Sequence, residues 1–101
     1  MFIYNVTVKV HDSIQSDWLK WLQEIHVPEV LETGCFTHAN IHRLLEVDDS
    51  EGPTYAIQYK AESKAAYNQY IDKFAPVLRQ KSFDLWGDRF IAFRSLMQVI
   101  N

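Results

Sequence analysis

The sequence predicts an α+β domain made of two strand–helix–strand units in tandem. Three observations carry this. Segments of strict two-residue alternation stand at the start, middle and end of the chain. Between them lie two stretches with apolar residues at helical spacing, each interrupted by one proline. An acidic, turn-rich segment joins the two units.

The first strand is expected over Phe2 to Val10, with Phe2, Tyr4, Val6, Val8 and Val10 on one face and Ile3, Asn5, Thr7 and Lys9 on the other. Asp12 is a candidate helix cap, with Gln15 completing a capping-box-like pair. Ile14, Trp18, Trp21, Leu22 and Ile25 then form one helical stripe. Pro28 should kink or restart the helix, because its ring displaces the Glu24 carbonyl from its partner. Pro28 to Glu32 reads as a second helical piece, ended by Gly34.

A second strand is expected over Cys35 to Val47 and a third over Thr54 to Ala61, joined across Asp48 to Pro53. The pattern leaves open which face of the second strand points inward. Ser63 is placed to cap the next helix, whose stripe is Ala66, Tyr67, Tyr70, Ile71 and Phe74. Pro76 restarts it, and Val77, Leu78, Leu85 and Trp86 continue an apolar face as far as Gly87. The last strand is expected over Arg89 to Val99.

Right-handed crossovers put both helical regions on one side of a four-stranded antiparallel sheet, with strands one and three central. This is the ferredoxin-like split βαββαβ arrangement. At 101 residues, the chain is expected to form one domain over 1–101. The other sheet face collects Asn5, Thr7, Lys9, Gln58 and Lys60, too polar for a deep core and uncovered by helices. Facing sheets in a homodimer would cover it and protect the edge strands. An aromatic content of 14% suits such an interface.

Composition narrows the function classes. A net charge of −3 without a basic stripe argues against nucleic acid and against an anionic membrane surface. No aromatic stands at the central open-face positions where RNA-binding versions of this fold stack bases. No apolar run reaches the length of about 20 residues that spans a bilayer. The N-terminus alternates like a strand and lacks signal-peptide features. One cysteine, Cys35, permits neither an internal disulfide nor a thiolate metal cage. The expectation is a cytoplasmic protein.

His38 and His42 share a strand face, but Cα atoms about 13 Å apart suit polar lining better than a common metal. His26, before Pro28 and three residues from Glu29, lacks a second half of any metal motif and reads as a capping or surface residue. Arg94 is an inward candidate needing a carboxylate, either a ligand's or that of Glu46, with the structural pair favoured. Trp18, Trp21 and Trp86 read as core or interface. No phosphate loop, nucleophile elbow or paired-carboxylate signature occurs. Asn5, Thr7, His38, His42, Gln58 and Arg94 are therefore the candidate ligand-contacting set, with no catalytic residue, metal or cofactor assigned.

The segments IYNVTVKV, WLKWLQEIHVPEVLETGCF, RLLEVDDSEGPTYAIQYKAES and APVLRQKSFDLWGDRFIAFRSLMQVI together resemble the uncharacterised family DUF4286. The resemblance implies a small cytosolic protein of the dimeric α/β-barrel group, with no established activity. Antibiotic-biosynthesis monooxygenases and haem-degrading enzymes belong to that group. Haem-degrading relatives use a first-strand Asn, a Trp and an iron-ligating His in the second helical region. Asn5 matches in kind and Trp86 poorly, and Ser63 to Trp86 contains no histidine. A homodimer that is non-enzymatic or binds a small ligand is the leading expectation. A cofactor-free oxygenase acting on a small aromatic substrate is the alternative.

Overall fold

The computed structural model describes residues 1–101. Strands β1 (Phe2–Val10), β2 (His38–Arg43), β3 (Thr54–Ala61) and β4 (Phe90–Gln98) form one antiparallel sheet in the order β2-β3-β1-β4. Helices α1 (Gln15–Trp21) and α2 (Val27–Glu32) lie between β1 and β2, and α3 (Lys64–Gln69) and α4 (Ala75–Trp86) between β3 and β4. This is the expected ferredoxin-like α+β topology, with both helical regions on one face.

Register decides which residues share a face. Tyr4 pairs with Tyr59, Val6 with Ile57 and Val8 with Tyr55, so these alternate positions point together towards the helices. Ala39 and Ile41 pair with Tyr59 and Ile57, which resolves the open question in β2: His38, Asn40 and His42 point away from the helices. The core is strongly aromatic. The Tyr4 ring lies 5.9 Å from Phe36, 6.0 Å from Tyr59 and 5.8 Å from Tyr70, centroid to centroid. Such pairs each contribute about 0.5–1.5 kcal/mol beyond the area they bury.

β2 is shorter than the alternation suggests. Phe36 turns into the core before the strand begins, and pairing starts beyond it. At the other end β3 begins only at Thr54, and Pro53 has no N–H to offer, so Leu45 to Val47 find no ladder partner. The intervening loop instead folds back on the end of β1, through Val10 N–H to the Pro53 carbonyl (3.0 Å) and Asp12 N–H to the Glu51 carbonyl (3.0 Å). Gly52 is needed there, since its φ is +147° and an added Cβ would lie 1.8 Å from the Val10 carbonyl oxygen.

The first helix starts differently from expectation. A 3₁₀ turn, Asp12–Ile14, precedes α1, and the His11 imidazole caps it by accepting from the Ser13 N–H at 3.1 Å. Gln15 does not complete a capping box; its amide donates to the Tyr55 hydroxyl at 3.1 Å. Ser63 caps α3 as expected, accepting from the Ala66 N–H at 3.1 Å.

The prolines neither break nor restart the helices. Each helical region passes through one widened π turn, Leu22–His26 and Tyr70–Phe74, and continues. Pro28 and Pro76 lack the N–H that would meet the carbonyls four residues back, and their rings crowd those carbonyls. The residue before each proline reaches back five instead of four: Val27 N–H to the Leu22 carbonyl, and Ala75 N–H to the Tyr70 carbonyl. One extra residue per turn rotates everything downstream. Ile25, expected on the buried stripe, is 49% exposed, and Val77 and Leu85 are each 59% exposed. Val27, Val30, Ala75 and Leu78 take the inward positions.

Candidate functional site

A cavity of about 70 Å³ lies between the sheet and both helical regions. Its floor is Tyr4, Val6 and Val8 of β1 with Phe90, Ala92 and Arg94 of β4. The first helical region contributes Trp18, Trp21, Leu22 and His26, and the second contributes Tyr70, Leu78, Arg79 and Ser82. The widened turn before Pro28 places His26 here in place of Ile25, whereas Tyr70, the first residue of the second widened turn, faces inward as its helical stripe predicts.

Arg79 and Arg94 line the cavity and are also solvent-exposed, so they stand at its mouth. Arg79 donates from Nη2 to the Tyr4 hydroxyl at 3.1 Å. Arg94 faces the helices because it pairs with Val6 across the ladder. The expected pairing with Glu46 does not form; the ion pairs are Arg43–Asp49 (3.0 Å) and Lys81–Glu29 (3.1 Å). No acidic residue lines the cavity.

His26 is not a capping or surface residue. Its ring stacks on Trp21 at 4.7 Å and 23°. Burial pushes its pKa down to about 4; Glu29 opposes that shift and the Arg94 charge reinforces it. His26 is therefore neutral near pH 7. Burial also raises the Tyr59 and Tyr70 hydroxyls well above their ordinary range, so both keep their protons. Trp86 meets Trp21 edge-on at 5.8 Å, and its buried Nε1–H has no hydrogen-bond partner.

The structure divides the sequence-derived set. Asn5, Thr7, Gln58, His38 and His42 lie on the open sheet face, where β1–β3 and β2–β3 pairing places them, and only Arg94 reaches the cavity. Those five do not line a space between sheet and helices, because strand alternation sends them to the opposite side. On the open face, Gln58 Nε2 donates to Asn5 Oδ1 at 3.3 Å, and Asn5 Nδ2 donates to Thr7 Oγ1 at 3.0 Å. The His42 Nδ1 lies 3.3 Å from the Ala56 carbonyl oxygen and the His38 Nδ1 3.0 Å from the Thr37 hydroxyl. No group of three or more His, Cys, Asp or Glu side chains converges. The sequence reading missed His26 and Arg79. The signal was an X-Pro step inside each helical stripe, which shifts the inward phase by one residue.

The family model described as "Domain of unknown function (DUF4286)" matches residues 1–100. The chain belongs to this family. No functionally curated protein matches this DUF4286 member. Its fold is similar to that of an EthD-family protein from Bacillus halodurans, with a TM-score of 0.72 at 6% identity over 99% of this chain and 100% of the other. A dimeric ferredoxin-like protein from an uncultured marine organism gives a TM-score of 0.71 at 16% identity, covering 100% and 96% of the two chains. A protein assigned in name to the antibiotic biosynthesis monooxygenases, from Bordetella bronchiseptica, gives 0.68 at 13% identity, covering 99% and 98%. These identities establish a shared fold. No helix of this DUF4286 protein is long and apolar enough to cross a membrane.

Proposed function

We propose that this DUF4286 protein is a cytoplasmic homodimer that binds a small ligand, its two sheets packed face to face. The observation that carries the dimer is the apolar stripe on the uncovered side of β4. Ile91 is 57% exposed, Phe93 67% and Met97 40%, and all three point away from the helices. Neighbours of the same fold described as dimeric support it. In the dimer, Asn5, Thr7, Gln58, His38 and His42 would lie between the two sheets as the polar part of the contact, already partly hydrogen-bonded to one another. Ligand binding belongs to the cavity on the other face. Light scattering on the purified chain at micromolar concentration should give twice the 11.9 kDa chain mass. A monomer at that concentration refutes the dimer.

The cavity also favours a second reading, that of a cofactor-free oxygenase. Its walls are largely apolar and aromatic, and a neighbour of the same fold is assigned to the antibiotic biosynthesis monooxygenases. Oxygen uptake with small hydroquinones should then be measurable and be lost in Arg94→Met at an unchanged melting temperature. No uptake across such a series excludes this reading.

A further inference from the structure

We infer that the cavity selects an anionic ligand, a small planar molecule whose aromatic or conjugated body lies against the Trp and Tyr walls and whose carboxylate, or phenolate-type oxygen, meets Arg79 and Arg94. This rests on the ligand-binding reading above and names the class of ligand.

The first support is charge. Two guanidinium groups line the cavity and no carboxylate does, although the chain carries 13 acidic residues against 10 basic ones. Both ion pairs in the structure involve other cations, Arg43 and Lys81. Arg79 makes one side-chain hydrogen bond, to Tyr4, and Arg94 makes none. A guanidinium presents five N–H donors in a fork that matches a carboxylate. Two such groups beside one partly apolar cavity repel each other, and an anion between them relieves that repulsion.

The second support is the shape and chemistry of the walls. Trp18, Trp21, Tyr59 and Phe90 make the lining aromatic. Trp18, Trp21 and Tyr59 are each stacked on one side, against Tyr55, His26 and Tyr4 respectively, so a planar body meets the ring edges and surfaces left uncovered, with little loss of internal freedom. Neutral His26 leaves the charge at the mouth to the two arginines, and the protonated Tyr70 hydroxyl adds a neutral donor.

Benzoate, benzyl alcohol and acetate serve as probes, read by calorimetry and by tryptophan fluorescence, since Trp18 and Trp21 line the cavity. Benzoate should bind at least about tenfold more tightly than either of the others. Arg94→Met and Arg79→Met should each weaken benzoate by about tenfold or more while changing benzyl alcohol less than about twofold. Arg94 has no side-chain bond to lose, so Arg94→Met carries the test if Arg79→Met fails to fold. Equal affinity for benzoate and benzyl alcohol overturns the anionic class and leaves the ligand-binding reading standing. Benzoate affinity unchanged by Arg94→Met also overturns the inference. No binding of any probe up to about 10 mM overturns both.

Discussion

The two faces of the sheet are made by the same strands and have opposite fates. On the helix side Tyr4, Ile57 and Tyr59 are each no more than 2% exposed. On the other side Ile91 and Phe93, one residue out of step, are 57% and 67% exposed. Alternation guarantees that a strand has two faces but does not say what covers each of them. The open face is itself uneven. Its apolar residues collect on β4, while β2 presents His38, Asn40 and His42. Covering that face would bury a half-apolar, half-polar surface, as a two-fold contact does more often than a domain core.

The largest expected effect lies on the covered face. Ile57→Ala at the centre of the core should cost about 2–5 kcal/mol in urea unfolding, whereas Phe93→Ala should leave the stability of the isolated chain nearly unchanged. Equal losses would erase the distinction between the faces.

His26 provides the next test. Unfolded, it takes a proton near 6.5, and folded only near 4. The unfolded state therefore binds more protons in that window. The contribution of neutral His26 is fully present above pH 6.5 and is lost as the pH falls towards 4, by up to about 3 kcal/mol. His26→Phe, which keeps a ring against Trp21, should flatten that slope between pH 4.5 and 7 in urea titrations.

On the open face, Phe93→Glu should weaken the proposed dimer by about 2 kcal/mol, measured by sedimentation over a dilution series, with little change in circular dichroism. The smallest effect is expected at Trp86. Trp86→Phe removes a buried N–H without a partner, so thermal unfolding should shift by less than about 1 kcal/mol, in either direction.

Much of the fold was legible because its signals are local. The β1 and β3 boundaries follow directly from two-residue alternation, and the Ser63 cap from one side chain three residues ahead of the N–H that donates to it. β2 was overextended because its ends are set by Pro53 and by Phe36 dropping into the core, which are tertiary facts. The site was legible only at Arg94. Asn5, Thr7, His38, His42 and Gln58 carry the right chemistry on the wrong side of the sheet, since one strand pattern is compatible with either side being the cavity floor. His26 and Arg79 were hidden because a kink or restart was expected at Pro28 and Pro76, whereas each helical region continues through a widened turn that rephases its inward face.

Those widened turns also bear on how the chain tolerates changes of length. Each holds one residue more than regular helical pitch requires. Deleting His26 would restore that pitch, bring Ile25 directly before Val27, and replace an imidazole by a hydrocarbon without altering any other residue type. Shortening the surface loop at 48–50 by one would disturb the Arg43–Asp49 pair and the loop's own hydrogen bonds but touch no residue of the cavity lining. The cavity's polar lining is thus encoded in the count of residues between Trp21 and Pro28 as much as in their identities.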